Sequence, residues 1–194
     1  MGKDTTPNGK ENSILAIVQL ANKSRSNQNA IAEAGGIPLL VAALSTVGGT
    51  KDLTSISTQC SVAASAIWKL CEDNARNKVL VAEAGAITAL VTMLGNPSAE
   101  MCSNAAGALS TLSHENAENQ AVIARTGAIA PLCTLVREGS QETKEQSASA
   151  LWALSTDNAP NKARKPRTRE WQYISRGTVP YLRVSDPPMA LARV

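Results

Sequence analysis

Apolar residues along this chain recur at spacings of three and four, the period of a helix that buries one face. They come in blocks. The block NKVLVAEAGAITALVTML, Asn77 to Leu94, returns as NQAVIARTGAIAPLCTLV, Asn119 to Val136, and as NQNAIAEAGGIPLLVAAL, Asn27 to Leu44. Gly35, Gly85 and Gly127 align, each eight residues after Asn27, Asn77 or Asn119, and the steps of 50 and 42 residues describe a repeat with one insertion. Within a unit the pattern predicts three helices. A short one stops at the glycine, which can take the left-handed conformation that ends a helix. A second follows, over Ile37–Leu44, Ile87–Leu94 and about 129–136. Pro38 is tolerated in its first turn, where backbone amides have no helical partner. A long third helix closes the unit. It is expected over about 57–73 in the first unit and is capped by Ser98 and Ser140 in the other two.

Aligned columns separate scaffold from surface. Ile37, Ile87 and Ile129 share one column, Leu40, Leu90 and Leu132 another, and on the third helix Ile67, Leu109 and Leu151 match, as do Leu70, Leu112 and Leu154. These are packing positions. Each unit presents an apolar face that only its neighbours can cover, so the chain reads as a solenoid rather than a closed globule. The expected organisation is a leader over 1–12 and a repeat array over 13–161. The array divides into a partial unit at 13–26 and full units at 27–76, 77–118 and 119–160, and a non-repeat tail covers 162–194. Asn12 or Ser13 is expected to cap the first helix. The segment Thr46–Ser57, with Gly48 and Gly49, is expected as a surface loop.

A unit of about 42 residues with a short helix ending in A-G-[AG]-I, a Leu-bearing second helix and a third ending in A-L-W-x-L resembles the armadillo repeat over residues 13–162. The style is that of vacuolar-protein-8-like and general armadillo repeat-containing proteins. The resemblance implies an all-α, right-handed α-solenoid of about three complete three-helix repeats plus a partial N-terminal one. It also implies a concave groove, lined by third helices, that binds an extended segment of another protein. In the importin-type groove a Trp and an Asn four residues later hold that segment. Here the Trp column reads Val18, Trp68, Ser110, Trp152 and the Asn column Asn22, Glu72, His114, Thr156, so no unit carries both. The same columns still give the candidate partner-binding residues: Asn22, Trp68, Glu72, Ser110, His114, Trp152 and Thr156, flanked one turn earlier by Ser65, Gly107 and Ser149. For Trp68 and Trp152 two readings stand side by side, a filler between units and a groove anchor. His114 is expected at the solvated groove edge.

Composition narrows the chemistry. Aromatics are scarce, with no Phe, three Trp and two Tyr, so the core rests on Ala, Leu, Ile and Val. The four cysteines, Cys60, Cys71, Cys102 and Cys133, form no C-x-x-C pair and sit in apolar helical patterns, as buried thiols in a reducing compartment do. There is one His, no G-x-S-x-G, and no phosphate-cradling Gly-rich loop ahead of a helix. No enzyme, catalytic residue, metal or cofactor is expected, and no small-molecule substrate. The N-terminus lacks a hydrophobic signal region, and the expected location is cytoplasmic, with a nuclear or vacuole-membrane association as the alternatives.

Charge is uneven. Residues 1–161 hold 11 Lys or Arg against 14 Asp or Glu, and residues 162–194 hold 8 against 2. A mildly acidic body argues against nucleic acid as the partner, because phosphate neutralisation needs a basic face on the folded part. The repeat register restarts at Asn161 and then fails, with Arg169 where the next glycine is due and Pro166 inside the expected short helix. Two readings of the tail remain open: a functional basic motif, Lys162, Arg164, Lys165, Arg167 and Arg169, or the mis-joined end of a truncated array. The end units also lack an evident polar cap, so the last third helix is expected to leave apolar surface uncovered. At the other end, Met1-Gly2-Lys3-Asp4-Thr5-Thr6 fits the M-G-x-x-x-[ST] pattern and makes Gly2 a candidate lipidation site, the one route to a membrane. The function expected is a non-catalytic scaffold for a protein or peptide segment. The alternatives are a trafficking adaptor at a membrane, a nuclear-transport-like adaptor, and a fragment of a longer armadillo protein.

Overall fold

The computed structural model describes residues 7–44 and 53–156, and all regular structure among them is helical. A side-chain cap starts each short helix, three residues ahead of the Asn that marks the repeat in sequence. Ser24, Asn74 and Asn116 lie in extended conformation and accept a hydrogen bond from the backbone N–H of Asn27, Asn77 and Asn119. The residue before each cap, Lys23, Asp73 or Glu115, is left-handed with φ of 52–54°, so one turn geometry is reused three times. The short helices are α2 (Arg25–Glu33), α5 (Ala75–Glu83) and α8 (Ala117–Arg125). Each ends at a glycine with φ of 78°, 86° or 92°, namely Gly35, Gly85 or Gly127. A β-carbon would strain that backbone.

The second helices are α3 (Gly36–Leu44), α6 (Ala86–Met93) and α9 (Ile129–Glu138); the third are α4 (Leu53–Cys71), α7 (Ala99–Ser113) and α10 (Gln141–Ser155). Ser98 and Ser140 cap α7 and α10 as expected, accepting from the N–H of Met101 and Thr143. Two boundaries differ from expectation. The first helix, α1 (Pro7–Ala21), starts inside the expected leader, and Ser13 is no cap: its hydroxyl donates back to the Gly9 carbonyl at 2.8 Å within the helix. Pro7, the first described residue, fits a first turn, where a missing N–H costs nothing. Likewise α4 begins at Leu53, so the end of the expected loop, residues 53–57, is helix, and residues 45–52 lie outside the described part.

Third helices stand side by side in the order α1, α4, α7, α10, and each second helix packs on its own third helix. The aligned columns form the core. Leu40, Leu90 and Leu132 are at most 1% exposed, and Ile67, Leu70, Leu109, Leu112, Leu151 and Leu154 are fully buried. In α1 the same column holds Leu20, 56% exposed, because no described helix covers that side of α1.

The Asn that marks each unit ties it to the one before. Asn77 Nδ2 donates to the Leu70 carbonyl at 2.9 Å and to the Gln28 carbonyl at 3.2 Å; Asn119 Nδ2 donates to Leu112 and Lys78 at 3.1 and 3.2 Å. The next residue reaches the other way. Gln28 Nε2 donates to the Lys69 and Glu72 carbonyls, Lys78 Nζ to that of His114, and Gln120 Nε2 to those of Ala153 and Thr156. Carbonyls at the end of α4, α7 and α10 are thus satisfied by the short helix of the same unit. Those of α4 and α7 also receive a bond from the short helix of the next unit, which offsets the cost of leaving them unpaired.

All four cysteines are buried as thiols, with no disulfide between them. Cys60 and Cys102 share a column, and their Sγ atoms donate to carbonyls in the last turns of α3 and α6, at 3.4 Å to Ala43 and 3.6 Å to Met93. The far end of the array corrects one expectation. Columns that hold buried Ser61 and Ala64 in α4, and Ser103 and Ala106 in α7, hold exposed Glu145 and half-buried Ala148 in α10. Glu145 accepts a hydrogen bond from exposed Gln141 one turn earlier. That outer face is therefore largely polar, and Trp152 is its main apolar member.

Candidate functional site

The candidate residues lie along the row of third helices, and the structure separates them by environment. Trp68 on α4 is half-buried and packed on the core. Its ring edge lies over Gly107 of α7, so closely that a β-carbon there would stand 2.5 Å from Cζ3 and 2.6 Å from Cε3. Gly107 is thus the floor under an indole and not a flank of the groove. Lys69, one residue on, brings its Nζ to 5.2 Å from the Trp68 ring centroid and 3.4 Å from a Glu72 carboxylate oxygen.

Trp152 on α10 is different. It is 43% exposed and stacks on His114, with ring centroids 6.3 Å apart and planes 26° from parallel. Beside it the hydroxyls of Ser110 and Ser149 meet at 2.8 Å across α7 and α10. These four side chains and Glu72 border a recess of about 260 Å³, completed by Asp73, Lys78, Thr111 and Ala153. Three successive third helices, or the residues just past their ends, therefore contribute to one hollow.

Of the groove candidates, the recess brings together Glu72, Ser110, His114, Ser149 and Trp152. Trp68 and half-buried Ser65 stand one layer earlier, and Asn22 is exposed beyond the end of α1. Thr156 serves the backbone: its hydroxyl donates to the Trp152 carbonyl at 2.9 Å. Gly2, Lys162, Arg164, Lys165, Arg167 and Arg169 lie outside the described residues.

Sequence reasoning passed over Lys69, Asp73 and Lys78. Lys78 sits in the column that holds Gln28 and Gln120, so an ammonium standing where its counterparts are amides was the available signal. It is buried, and its Nζ donates to the His114 carbonyl at 2.8 Å. Burial lowers its pKa from the ordinary lysine value, while Cys71, Glu115 and Asp73 pull the other way. Behind it, burial pushes the Cys71 thiol up to about 12.

Two further hollows lie off this row. One, of about 310 Å³, is bordered by Leu44, Ala89, Met93 and Met101; the other, of about 250 Å³, by Pro97, Cys102, Leu135 and Thr143. Among the described residues no group of three His, Cys, Asp or Glu is placed to hold a metal, and no helix is long and apolar enough to cross a membrane.

The sequence model of the Armadillo/beta-catenin-like repeat matches residues 74–114 and 116–156, beginning at the Asn74 and Asn116 caps. Over those residues the chain is built of armadillo repeats. Among the described residues its units are all-helical, and the chain shares the right-handed α-solenoid fold of solved armadillo structures. An engineered protein superposes with a TM-score of 0.75 at 22% identity, over 83% of this chain and 62% of its own length, so the chain spans less than two thirds of that neighbour. A designed armadillo repeat protein in complex with the peptide (KR)4 gives 0.73 at 20% identity, over 90% and 76%. Computationally designed armadillo repeat proteins for modular peptide recognition give 0.74 at 22%, over 91% and 76%. No curated protein sequence matches the chain. The chain is a repeat scaffold, and the residues at the Trp152 recess differ from unit to unit along its third-helix row.

Proposed function

We propose that this armadillo scaffold is non-catalytic and holds an extended segment of a partner protein along the concave groove formed by its third helices. The observation that carries the reading is the recess at Trp152, where a half-exposed indole stands among hydroxyls, an imidazole and carboxylates drawn from three successive layers. A large, rigid aromatic with polar groups at its rim is the composition of a binding hot spot. Serine hydroxyls and His114 can pair with the backbone amides of an extended chain, as peptide recognition along a groove requires. Support also comes from the similar fold of a designed armadillo protein in complex with (KR)4. The four buried thiols support a reducing compartment, and the proposed location is the cytoplasm.

The test is selection of extended peptides from a displayed library on the full chain, followed by titration against Trp152→Ala. Binding is expected to weaken by about tenfold or more, the loss ordinarily seen on truncating an aromatic anchor. Unchanged affinity in a variant with wild-type helical content would refute the groove assignment.

A further inference from the structure

Trp68 and Trp152 occupy one column of the third helix, yet only one of them is open to a partner. One side of Trp68 is closed by α7 at Gly107. Lys69 stands over its ring, with Nζ 5.2 Å from the centroid and 3.4 Å from Glu72 Oε2. An indole face and a carboxylate one turn along the helix are the two features that would attract a cationic side chain from outside. Here the chain's own ammonium satisfies both. In the last unit the corresponding residues are Ala153 and Thr156, and neither can do the same for Trp152.

We propose that Lys69 is a specificity-determining residue, the built-in occupant of a cation site made by Trp68 and Glu72. The inference rests on the reading that a partner lies along this groove. An incoming Lys or Arg at the Trp68 layer must displace a tethered ammonium and meet its like charge. The wild-type groove therefore selects an uncharged side chain at that layer. With Lys69 removed, the same indole and carboxylate become a site for a basic peptide.

The probe is a synthetic eight-residue peptide of alternating Lys and Arg, with an uncharged peptide of alternating Leu and Ser beside it. Both are titrated by fluorescence anisotropy against the full-length wild type, Lys69→Ala, Lys69→Gln and the double variant Lys69→Ala with Glu72→Gln. Lys69→Ala is expected to bind the basic peptide about tenfold more tightly than wild type, the gain of one cation–π contact and one charge-assisted bond. Lys69→Gln should gain less, and the double variant should keep only part of the gain, since Trp68 remains while the carboxylate is gone. The gain should shrink with added salt, and the uncharged peptide should show none. Lys69 is partly exposed, so each variant should keep wild-type helical content, checked by circular dichroism.

Equal binding of the basic peptide by wild type and Lys69→Ala would overturn the role of Lys69. A gain undiminished by Glu72→Gln would overturn the cation site made with Glu72. In either case the groove reading stands if Trp152→Ala still loses its selected ligand. If no peptide binds any of the proteins, both fall.

Discussion

Gly107→Ala is the substitution on which the packing of the groove turns. In the middle of an exposed helix this change would stabilise by about 1 kcal/mol, because glycine is the poorer helix former. At this position the added β-carbon meets the Trp68 ring at 2.5, 2.6 and 2.9 Å from Cζ3, Cε3 and Cδ2. Those atoms are part of a rigid indole packed against the core, so the ring must swing outward or α7 must shift. Overpacking of this kind costs about 1–3 kcal/mol. The expected net effect is a loss of about 1 kcal/mol, the overpacking cost less the helix-propensity gain. With Trp68→Ala the obstruction is gone, and the same Gly107→Ala should instead stabilise by about 1 kcal/mol. The coupling between the two sites is then about 2 kcal/mol, well above what independent sites show. Urea unfolding of the four proteins, followed by circular dichroism with matching m-values, measures it. Equal stabilisation by Gly107→Ala in both backgrounds would refute the close approach of α7 to Trp68.

Two further outcomes follow from the clamps between layers. Asn77→Ala removes two hydrogen bonds, to Leu70 and Gln28, from a fully buried side chain and should destabilise by about 2–3 kcal/mol. Asn27→Ala, in the same column but exposed and bonded to the Leu20 carbonyl at 2.8 Å, should cost less than about 1 kcal/mol by urea unfolding. Alkaline pH should act on the buried pair Lys78 and Cys71 in opposite directions. The Lys78 pKa is lowered in the folded state, so between that value and 10.5 the unfolded chain binds more protons and stability rises with pH. The Cys71 thiol is raised from 9.0 to about 12, so over that window the folded chain binds more protons and stability falls. Lys78→Gln, which copies Gln28 and Gln120, should abolish the rise and Cys71→Ala the fall, read from urea midpoints between about pH 8 and about pH 11.

The fold was legible because stacking demands repetition: Leu40, Leu90 and Leu132 must be alike to fit alike neighbours. Boundaries were less legible. Asn27, Asn77 and Asn119 mark the repeat in sequence, yet each lies inside its helix and spends its amide on the previous layer, while Ser24, Asn74 and Asn116 do the capping. Columns placed Trp152, His114 and Ser149 among the candidates, and the structure sets all three on one recess, because position on a helix repeats from unit to unit. They could not show that Trp68 is covered and Trp152 is open. That difference depends on Gly107, Lys69 and Glu72, residues that break their columns. A glycine in the middle of Ala106–Ala108 costs helix stability, and such a cost is itself a sign of close approach.

The central claim, that a partner segment lies across the recess on the third-helix row, is most directly tested by the indole Nε1–H resonance of Trp152 during titration with a selected peptide. The account predicts a saturable shift of that resonance, with the backbone amides of Ser110, His114 and Ser149 moving alongside it. Shifts confined to the hollow at Leu44, Met93 and Met101, with Trp152 unmoved, would contradict it.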